Sequence, residues 1–190
     1  MLPGSPSSTR TTRSSGVVTS EADNASPVEW RHWHPTEEAT LLFVIPGDGR
    51  VLLIHKKRGL GNGLINAPGG RMEIGETPVE AAVRETREEL RIEVRSPCFG
   101  GNLKFHFLDG YRLEVHVFRC ADYEGVPSET EEATPEWFPV DAIPYGSMWA
   151  DDPHWLPLLL QGTPFAGRFV FDGRRLLWHH VESPGASSPV

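Results

Sequence analysis

Apolar and polar residues cluster along the chain in a pattern that predicts several short strands and two helices. Runs of strand-forming residues are separated by Asp-Gly or glycine-rich turn signals, which is typical of β-hairpins. The predicted strands cover residues 40–45, 51–54, 103–108, 113–119, 137–140, 169–171 and 176–180. A glycine-rich loop is predicted for 60–70 and a short helix for 155–161. Because most of the strands form hairpins, we expect a mixed sheet and an α+β fold (α/β in a loose sense).

The clearest helix signal covers residues 77–90. Thr77 suits the N-cap, Pro78 the first helical position, and Glu80 the reciprocal position of a capping box. A helically spaced stripe follows that is predicted to face the core: Val79, Ala82, Val83, Thr86 and Leu90. A threonine in such a stripe can satisfy its hydroxyl by bonding a carbonyl one turn back.

The polar side of this helix carries three glutamates. Glu85 is spaced three and four residues before Glu88 and Glu89, so all three lie on one face. Like charges repel there, and the helix dipole disfavours anions in the C-terminal half. Two interpretations are open at this point. The face is either a carboxylate site for a hard divalent cation such as Mg²⁺, or a solvated face neutralised by Arg84, Arg87 and Arg91.

The amino-acid composition excludes several classes of protein function. Lys and Arg number 18 and Asp and Glu 26, so the formal charge is 18 − 26 = −8. This balance argues against binding of polymeric nucleic acid, although a divalent metal would still allow a phosphate ligand. Cys98 and Cys120 are too few for a disulfide scaffold, and no apolar run approaches the roughly 20 residues that span a bilayer. We expect a cytoplasmic monomer with no membrane partner.

The chain ends differ in composition from the middle. Residues 1–26 are dominated by Ser, Thr, Gly and Pro, which predicts a disordered tail. Residues 1–20 contain Arg10 and Arg13, many hydroxyl side chains and no acidic residue. This composition is also seen in organelle transit peptides, but no amphipathic helix is evident. A secretory signal is excluded because a central apolar region is missing. We therefore predict one domain at 27–183 and a loose tail at 184–190.

A longer pattern surrounds the glutamates. Residues 69–92 read GGRMEIGETPVEAAVRETREELRI, which resembles the Nudix box of hydrolases that act on nucleoside diphosphates linked to another group. Thr86 replaces an aliphatic residue of the box, and Arg91 replaces its final glycine. Arg91 is unfavourable if that position needs a positive φ. The resemblance implies a Nudix fold, with a mixed sheet sandwiched between helices, and bound Mg²⁺, with Mn²⁺ as the alternative.

The resemblance extends over most of residues 40–173. The segments HKKRGLGNGLINAPGGRMEIGE and SMWADDPHWLPLLLQGTPFAGRFVFDG look like those of the animal MutT-type enzymes. These enzymes hydrolyse oxidised purine nucleoside triphosphates, such as 8-oxo-dGTP and 2-hydroxy-dATP. The resemblance thus implies hydrolysis to the nucleoside monophosphate and pyrophosphate, which removes oxidised species from the nucleotide pool.

The same resemblance implies a set of metal ligands. They are the carboxylates of Glu85, Glu88, Glu89 and Glu132, with the carbonyl of Gly69. Arg84 takes the place of an arginine that holds the catalytic carboxylates by ion pairing. The general base stays open between Glu85, Glu88 and Glu132.

It also implies a purine pocket. Trp149 takes the position that stacks on the base, and the Asp151–Asp152 pair the position that hydrogen-bonds it. The remaining implied contacts are Lys56, Asn66, Phe105 and Phe107, whereas Leu60 replaces an aromatic residue. If the two aspartates are in contact and buried, one of them should be protonated. The alternative for this segment is an ordinary loop with a packed tryptophan.

Two other functions are compatible with the sequence. One is a Nudix hydrolase of another substrate, such as a dinucleoside polyphosphate or a nucleotide sugar. The other is a nucleotide-sensing module that binds without turnover, against which the complete carboxylate set speaks. A panel of substrates distinguishes the first alternative from hydrolysis of oxidised purine nucleotides. Phosphate release with Mg²⁺ distinguishes an enzyme from the second alternative.

Overall fold

A computed structural model describes residues 26–183. The tails predicted at 1–26 and 184–190 lie outside this range, except for Ser26. The hydroxyl of Ser26 accepts a hydrogen bond of 2.6 Å from the indole nitrogen of Trp30. The single domain at 27–183 stays a prediction. None of the helices within the described range is long and apolar enough to cross a membrane.

Within residues 26–183, ten strands form two sheets. In chain order they are β1 Glu37–Val44, β2 Arg50–Lys56, β3 Ile65–Asn66, β4 Glu93–Arg95, β5 Cys98–Phe107, β6 Arg112–Cys120, β7 Asp122–Glu124, β8 Ala133–Pro139, β9 Phe165–Asp172 and β10 Arg175–Glu182. The large sheet has the order β10-β9-β5-β6-β1-β2-β3, and β8 also pairs with β2. The pairs β1–β6 and β5–β9 are parallel and the others antiparallel, so the predicted mixed sheet is confirmed.

Two helices cover opposite faces of the large sheet. They are α1, Pro78–Leu90, and α2, Asp152–Gln161. On one face, Phe43 of β1 packs in a core cluster with Trp155 of α2. On the other, its neighbour Leu42 packs in a cluster with Leu90 of α1. Alternate side chains of a strand point to opposite faces, and the predicted α+β sandwich is therefore confirmed.

Local signals set the ends of α1 as predicted. The Thr77 hydroxyl accepts from the Glu80 amide, and the Glu80 carboxylate accepts from the Thr77 amide. Buried Thr86 donates its hydroxyl to the Ala82 carbonyl at 2.7 Å. The prediction that Val79 faces the core is wrong, since it is 38% exposed. The buried face is instead shared by Ala81, Ala82, Thr86, Glu89 and Leu90.

Several predicted boundaries change. The loop predicted at 60–70 contains β3, whose two residues pair with Ile54 and His55 of β2. The second helix begins at Asp152 rather than at 155, with Pro153 in its first turn. Strands β1 and β2 share only the register Val44–Leu52, and the long partner of β1 is β6. Of these differences, the pairing of β1 with β6 is the one that depends on a partner distant in sequence.

Candidate active site

One cavity of about 430 Å³ contains most of the residues singled out in the sequence. Those that line it are Lys56, Asn66, Gly69, Glu85, Glu89, Phe105, Phe107, Glu132, Trp149, Asp151 and Asp152. Arg84 and Glu88 are not among its lining residues. The β1, β5 and β6 strands form part of its wall, and the start of α2 supplies the aspartate pair.

Glu89 is the most buried of the three helix glutamates. It is 1% exposed, and its Oε2 accepts a hydrogen bond of 2.9 Å from the Gly69 amide. Lys56 Nζ lies 3.1 Å from Glu89 Oε1 and 3.2 Å from the Gly69 carbonyl oxygen. Burial raises the pKa of Glu89, and the charge of Lys56 opposes this shift. Three predicted site groups therefore form one hydrogen-bonded cluster.

Arg84 holds the other two helix glutamates. Its Nη1 donates to Glu85 at 2.9 Å and to Glu88 at 3.2 Å. Its Nε and Nη2 grip both oxygens of Glu76 at 3.1 and 2.7 Å, and these hydrogen bonds are the main cause that raises the pKa of Arg84. Burial raises the pKa of Glu85, and its hydrogen bond with Arg84 opposes the rise. Glu88 is outermost, with 55% of its side chain exposed.

Gly70 lets the loop before the helix approach the carboxylates. A Cβ atom at this position would lie 2.5 Å from the carboxyl carbon of Glu85, so any side chain here would displace the Glu85 carboxylate. The absence of a side chain at Gly70 therefore allows the backbone to run directly against Glu85.

The donor chemistry of this region fits a hard divalent cation. Carboxylate oxygens and a backbone carbonyl are the ligands that Mg²⁺ prefers. Within residues 26–183, however, no group of three acidic, His or Cys side chains is already arranged as a metal site. The carboxylates are engaged by cationic side chains instead: Lys56 with Glu89, Arg58 with Glu132, and Arg84 with Glu85 and Glu88. A metal would have to displace some of these contacts.

Another group of residues that line the cavity is aromatic and acidic. The Trp149 ring meets Phe107 and Phe171 edge to face, with centroids 6.5 and 5.7 Å apart. The Trp149 amide donates to Asp152 Oδ2 at 3.0 Å. The indole nitrogen of Trp155 donates to Asp151 Oδ2 at 2.9 Å.

Both aspartates are only 2% exposed. Burial raises the pKa of Asp151 to about 6. Burial and the charge of Asp151 raise the pKa of Asp152 well above its ordinary value. These shifts favour the predicted protonation of one carboxyl at neutral pH, because two like charges cannot both be kept in a buried site.

The other predicted pocket residues complete the walls. Asn66 Oδ1 accepts from the Ala67 amide at 2.8 Å, which orients the side chain. The Phe105 ring stacks on Phe169 with centroids 5.3 Å apart. Leu60, which replaces an aromatic residue, lines the cavity edge and is 47% exposed. The wall is thus less enclosed on the side of Leu60.

Sequence reasoning missed some lining residues. The hydroxyl of Thr40 is buried and has no hydrogen-bond partner among the described residues. Arg71 and Tyr111 also line the cavity, and both contact Oε2 of Glu37, at 2.7 and 2.6 Å. Thr40 lies inside a strand-forming run and offered no signal. Arg71 and Tyr111 come from segments 40 residues apart, so their proximity was not predictable from the sequence pattern.

The sequence comparisons define the class of protein. The profile of the NUDIX domain matches residues 35–159, which is more than half of the chain. The chain therefore belongs to the NUDIX family and is a Nudix hydrolase, a class whose members generally need a divalent metal.

Relatives of known name lie within this family. The chain is 44% identical over 146 residues to the oxidized purine nucleoside triphosphate hydrolase of Danio rerio, covering 76% of this chain and 94% of that protein. The mouse (Mus musculus) protein of the same name is 42% identical over 133 residues, covering 70% and 85%. A crystal structure of a MutT protein from Bacillus halodurans superposes with a TM-score of 0.69 at 27% identity, covering 77% of this chain and 97% of that one.

Proposed function

We propose that this protein hydrolyses oxidised purine nucleoside triphosphates, such as 8-oxo-dGTP, to the monophosphate and pyrophosphate. The observation that carries the proposal is one cavity that joins a carboxylate cluster around Gly69 to the buried Asp151–Asp152 pair beside Trp149. The fish and mouse relatives, whose names state this activity, support it.

The aromatic and acidic end would bind the base. Trp149 would stack on the purine, which is worth roughly 1–3 kcal/mol per base. Asn66 and the aspartate pair would hydrogen-bond the base edge. A protonated carboxyl can donate and an ionised one can only accept. The raised pKa of Asp151 and Asp152 would thus let the pair match bases with different donor patterns.

The carboxylate end would act on the phosphates. Glu85, Glu88, Glu89, Glu132 and the Gly69 carbonyl would hold Mg²⁺, or Mn²⁺ as the alternative. When bound, the metal neutralises phosphate charge and lowers the pKa of a coordinated water. Arg84 would keep Glu85 and Glu88 in position, and Lys56 would lie near the nucleotide. Of the three candidate bases, Glu85 and Glu132 line the cavity.

The proposal also covers the kind of nucleotide substrate, the oligomeric state and the cellular location. The net charge of −8 supports action on free nucleotides rather than on polymeric nucleic acid. A monomeric state and a cytoplasmic location are also proposed, and the small number of cysteines supports a reducing compartment.

A substrate panel tests the proposal. Steady-state kinetics with 8-oxo-dGTP, 2-hydroxy-dATP, dGTP and a dinucleoside polyphosphate, each with Mg²⁺ and with Mn²⁺, should show the highest kcat/KM for an oxidised purine triphosphate. Products should be the monophosphate and pyrophosphate. Highest kcat/KM for the dinucleoside polyphosphate would assign another Nudix substrate, and binding without phosphate release would indicate a sensing module.

A further inference from the structure

A short turn between β2 and β3 closes one side of the cavity. This segment, residues 57–64, is called the glycine turn here. Arg58, Gly59 and Leu60 of the turn line the cavity. Its other side chains face solvent, apart from a partly buried Leu64. A segment with so few buried apolar contacts opens locally at a low free-energy cost, so its polar contacts decide how often it is closed.

The tip of the glycine turn rests on the stacking tryptophan. Gly61 is buried although its neighbours are exposed. A Cβ atom at Gly61 would lie 3.0 Å from the indole nitrogen of Trp149, and its φ of +83° also favours glycine. The same indole packs edge to face on Phe171 of β9. Closure of the turn therefore helps to fix the ring that would stack on a base.

Polar contacts hold the glycine turn from two sides. Towards β8, the Lys57 ammonium donates to the Thr130 carbonyl at 2.8 Å, and Arg58 pairs with Glu132. On the opposite side, Arg174 Nη2 donates to the carbonyl of Asn62 at 2.9 Å. Arg174 belongs to the tight turn between β9 and β10, three residues after Phe171.

We propose that Arg174 is a positioning residue that holds the glycine turn closed against Trp149 and so completes the purine subsite. The hydrogen bond joins residues 112 positions apart, and it connects the turn to the hairpin whose strand carries Phe171. The statement that this subsite binds a purine rests on the proposed function. The hold of Arg174 on the turn does not, because it consists of contacts between residues of this chain.

Loss of this bond should weaken nucleotide binding without slowing the chemical step. If binding needs the closed turn, the apparent affinity falls in proportion to the closed fraction. Loss of a typical hydrogen bond changes the equilibrium between the closed and the open turn by about three- to tenfold. Glu85 and Glu89 contact Gly69, Gly70 and Arg84 rather than Arg174, so kcat should stay nearly constant.

The experiment compares Arg174→Ala with Arg175→Ala. Arg175 is the adjacent exposed arginine, 3.8 Å from Asp172, and its charge removal is a matched control. Arg174→Lys keeps a donor and should restore part of the effect. In the full-length protein without nucleotide, hydrogen exchange is measured at the amides whose bonds close the turn: Asn62, Gly63 and Leu64. KM and kcat are then measured with 8-oxo-dGTP.

The expected result is specific to Arg174. Exchange in the glycine turn should rise about three- to tenfold in Arg174→Ala, and KM should rise by the ratio of the closed fractions that the exchange rates give for wild type and variant. The kcat and the melting temperature should stay nearly unchanged, and Arg175→Ala should resemble wild type. Unchanged exchange would overturn the hold on the turn, and a KM that does not follow the closed fraction would overturn the positioning role. A wild-type protein inactive on every purine triphosphate would overturn the proposed function, while the exchange comparison would still decide whether Arg174 holds the turn.

Discussion

Lys56 and Glu89 form an ion pair in the wall of the cavity, with Nζ 3.1 Å from Oε1. The same ammonium reaches the Gly69 carbonyl oxygen, and the other oxygen of Glu89 accepts from the Gly69 amide. A cation therefore already lies between two of the oxygens proposed as metal ligands. Metal binding and this ion pair should compete, since both would use the carboxylate of Glu89.

The first prediction separates two neighbouring glutamates. Glu88→Gln should lose most turnover. Its free energy of unfolding should equal that of wild type, because Glu88 is exposed and bonds only Arg84 among the described residues. Glu89→Gln should lose turnover and also lower the free energy of unfolding by about 1–3 kcal/mol, because a buried charge pair is broken. The measurements are kcat at saturating Mg²⁺ and urea denaturation.

Glu93→Gln is the control for both variants, since Glu93 pairs with Arg87 on the surface and does not line the cavity. It should resemble wild type. Turnover of Glu88→Gln within about threefold of wild type would contradict its assignment to the metal site.

The second prediction concerns base stacking. Trp149→Ala should raise KM for an oxidised purine triphosphate about ten- to hundredfold, with a much smaller change in kcat. Stacking acts on the base, away from the reacting phosphorus, and is felt similarly in ground and transition states. Trp30→Ala, which removes a ring stacked on Trp178, is the control. Equal KM values for the two variants would show that the base is held elsewhere.

The third prediction concerns selectivity. Asp151→Asn should sharply reduce the ratio of kcat/KM between 8-oxo-dGTP and dGTP. The amide can still accept from Trp155 but can no longer ionise or exchange a proton with Asp152, so a buried partner on the base is left unpaired. Competition kinetics with both nucleotides measure the ratio. A ratio equal to that of wild type would remove Asp151 from base recognition.

The fourth prediction follows from the raised pKa of Asp151. Its pKa is about 6 in the folded protein against an ordinary value of 3.8. Between these values the folded state binds more protons than the unfolded chain, so this group's contribution to stability falls as pH rises through that window. The side-chain amide introduced by Asp151→Asn has no such proton to lose. The melting temperature of this variant relative to wild type should therefore increase from pH 4 to pH 7, and a constant difference would contradict the shift.

The fifth prediction tests the end of α1. The backbone of Arg91 has the left-handed helical conformation, with a φ of 58°, as expected for a position where the Nudix box has glycine. Arg91→Gly should raise the free energy of unfolding by about 0.5–1 kcal/mol. The same substitution one turn earlier, Arg87→Gly, should lower it by about 1 kcal/mol because φ is helical there. Thermal unfolding of both variants measures the contrast, and equal signs would refute the explanation.

The candidate site was partly predictable from the sequence. The spacing of Glu85, Glu88 and Glu89 placed three carboxylates on one side of a helix, and the wider motifs pointed to Trp149 and the aspartate pair. Their different environments were not predictable. Glu89 is buried against Gly69 and Lys56, whereas Glu88 remains exposed. That difference depends on which side of α1 meets the loop, which helical spacing does not specify.

The sequence by itself determined the elements whose stabilising contacts are local. The start of α1 depends on Thr77, Pro78 and Glu80, and the hairpin turns depend on Asp-Gly pairs, because these interactions span at most four residues. Only the tertiary structure decided the parallel pairing of β1 with β6, the two-residue strand inside the predicted loop, and the contact of Arg174 with Asn62. The β1–β6 pairing and the Arg174–Asn62 contact join residues far apart in the chain, so their partners become known only when the sheet has assembled. The short strand pairs with β2 across a turn whose sequence carries only a loop signal.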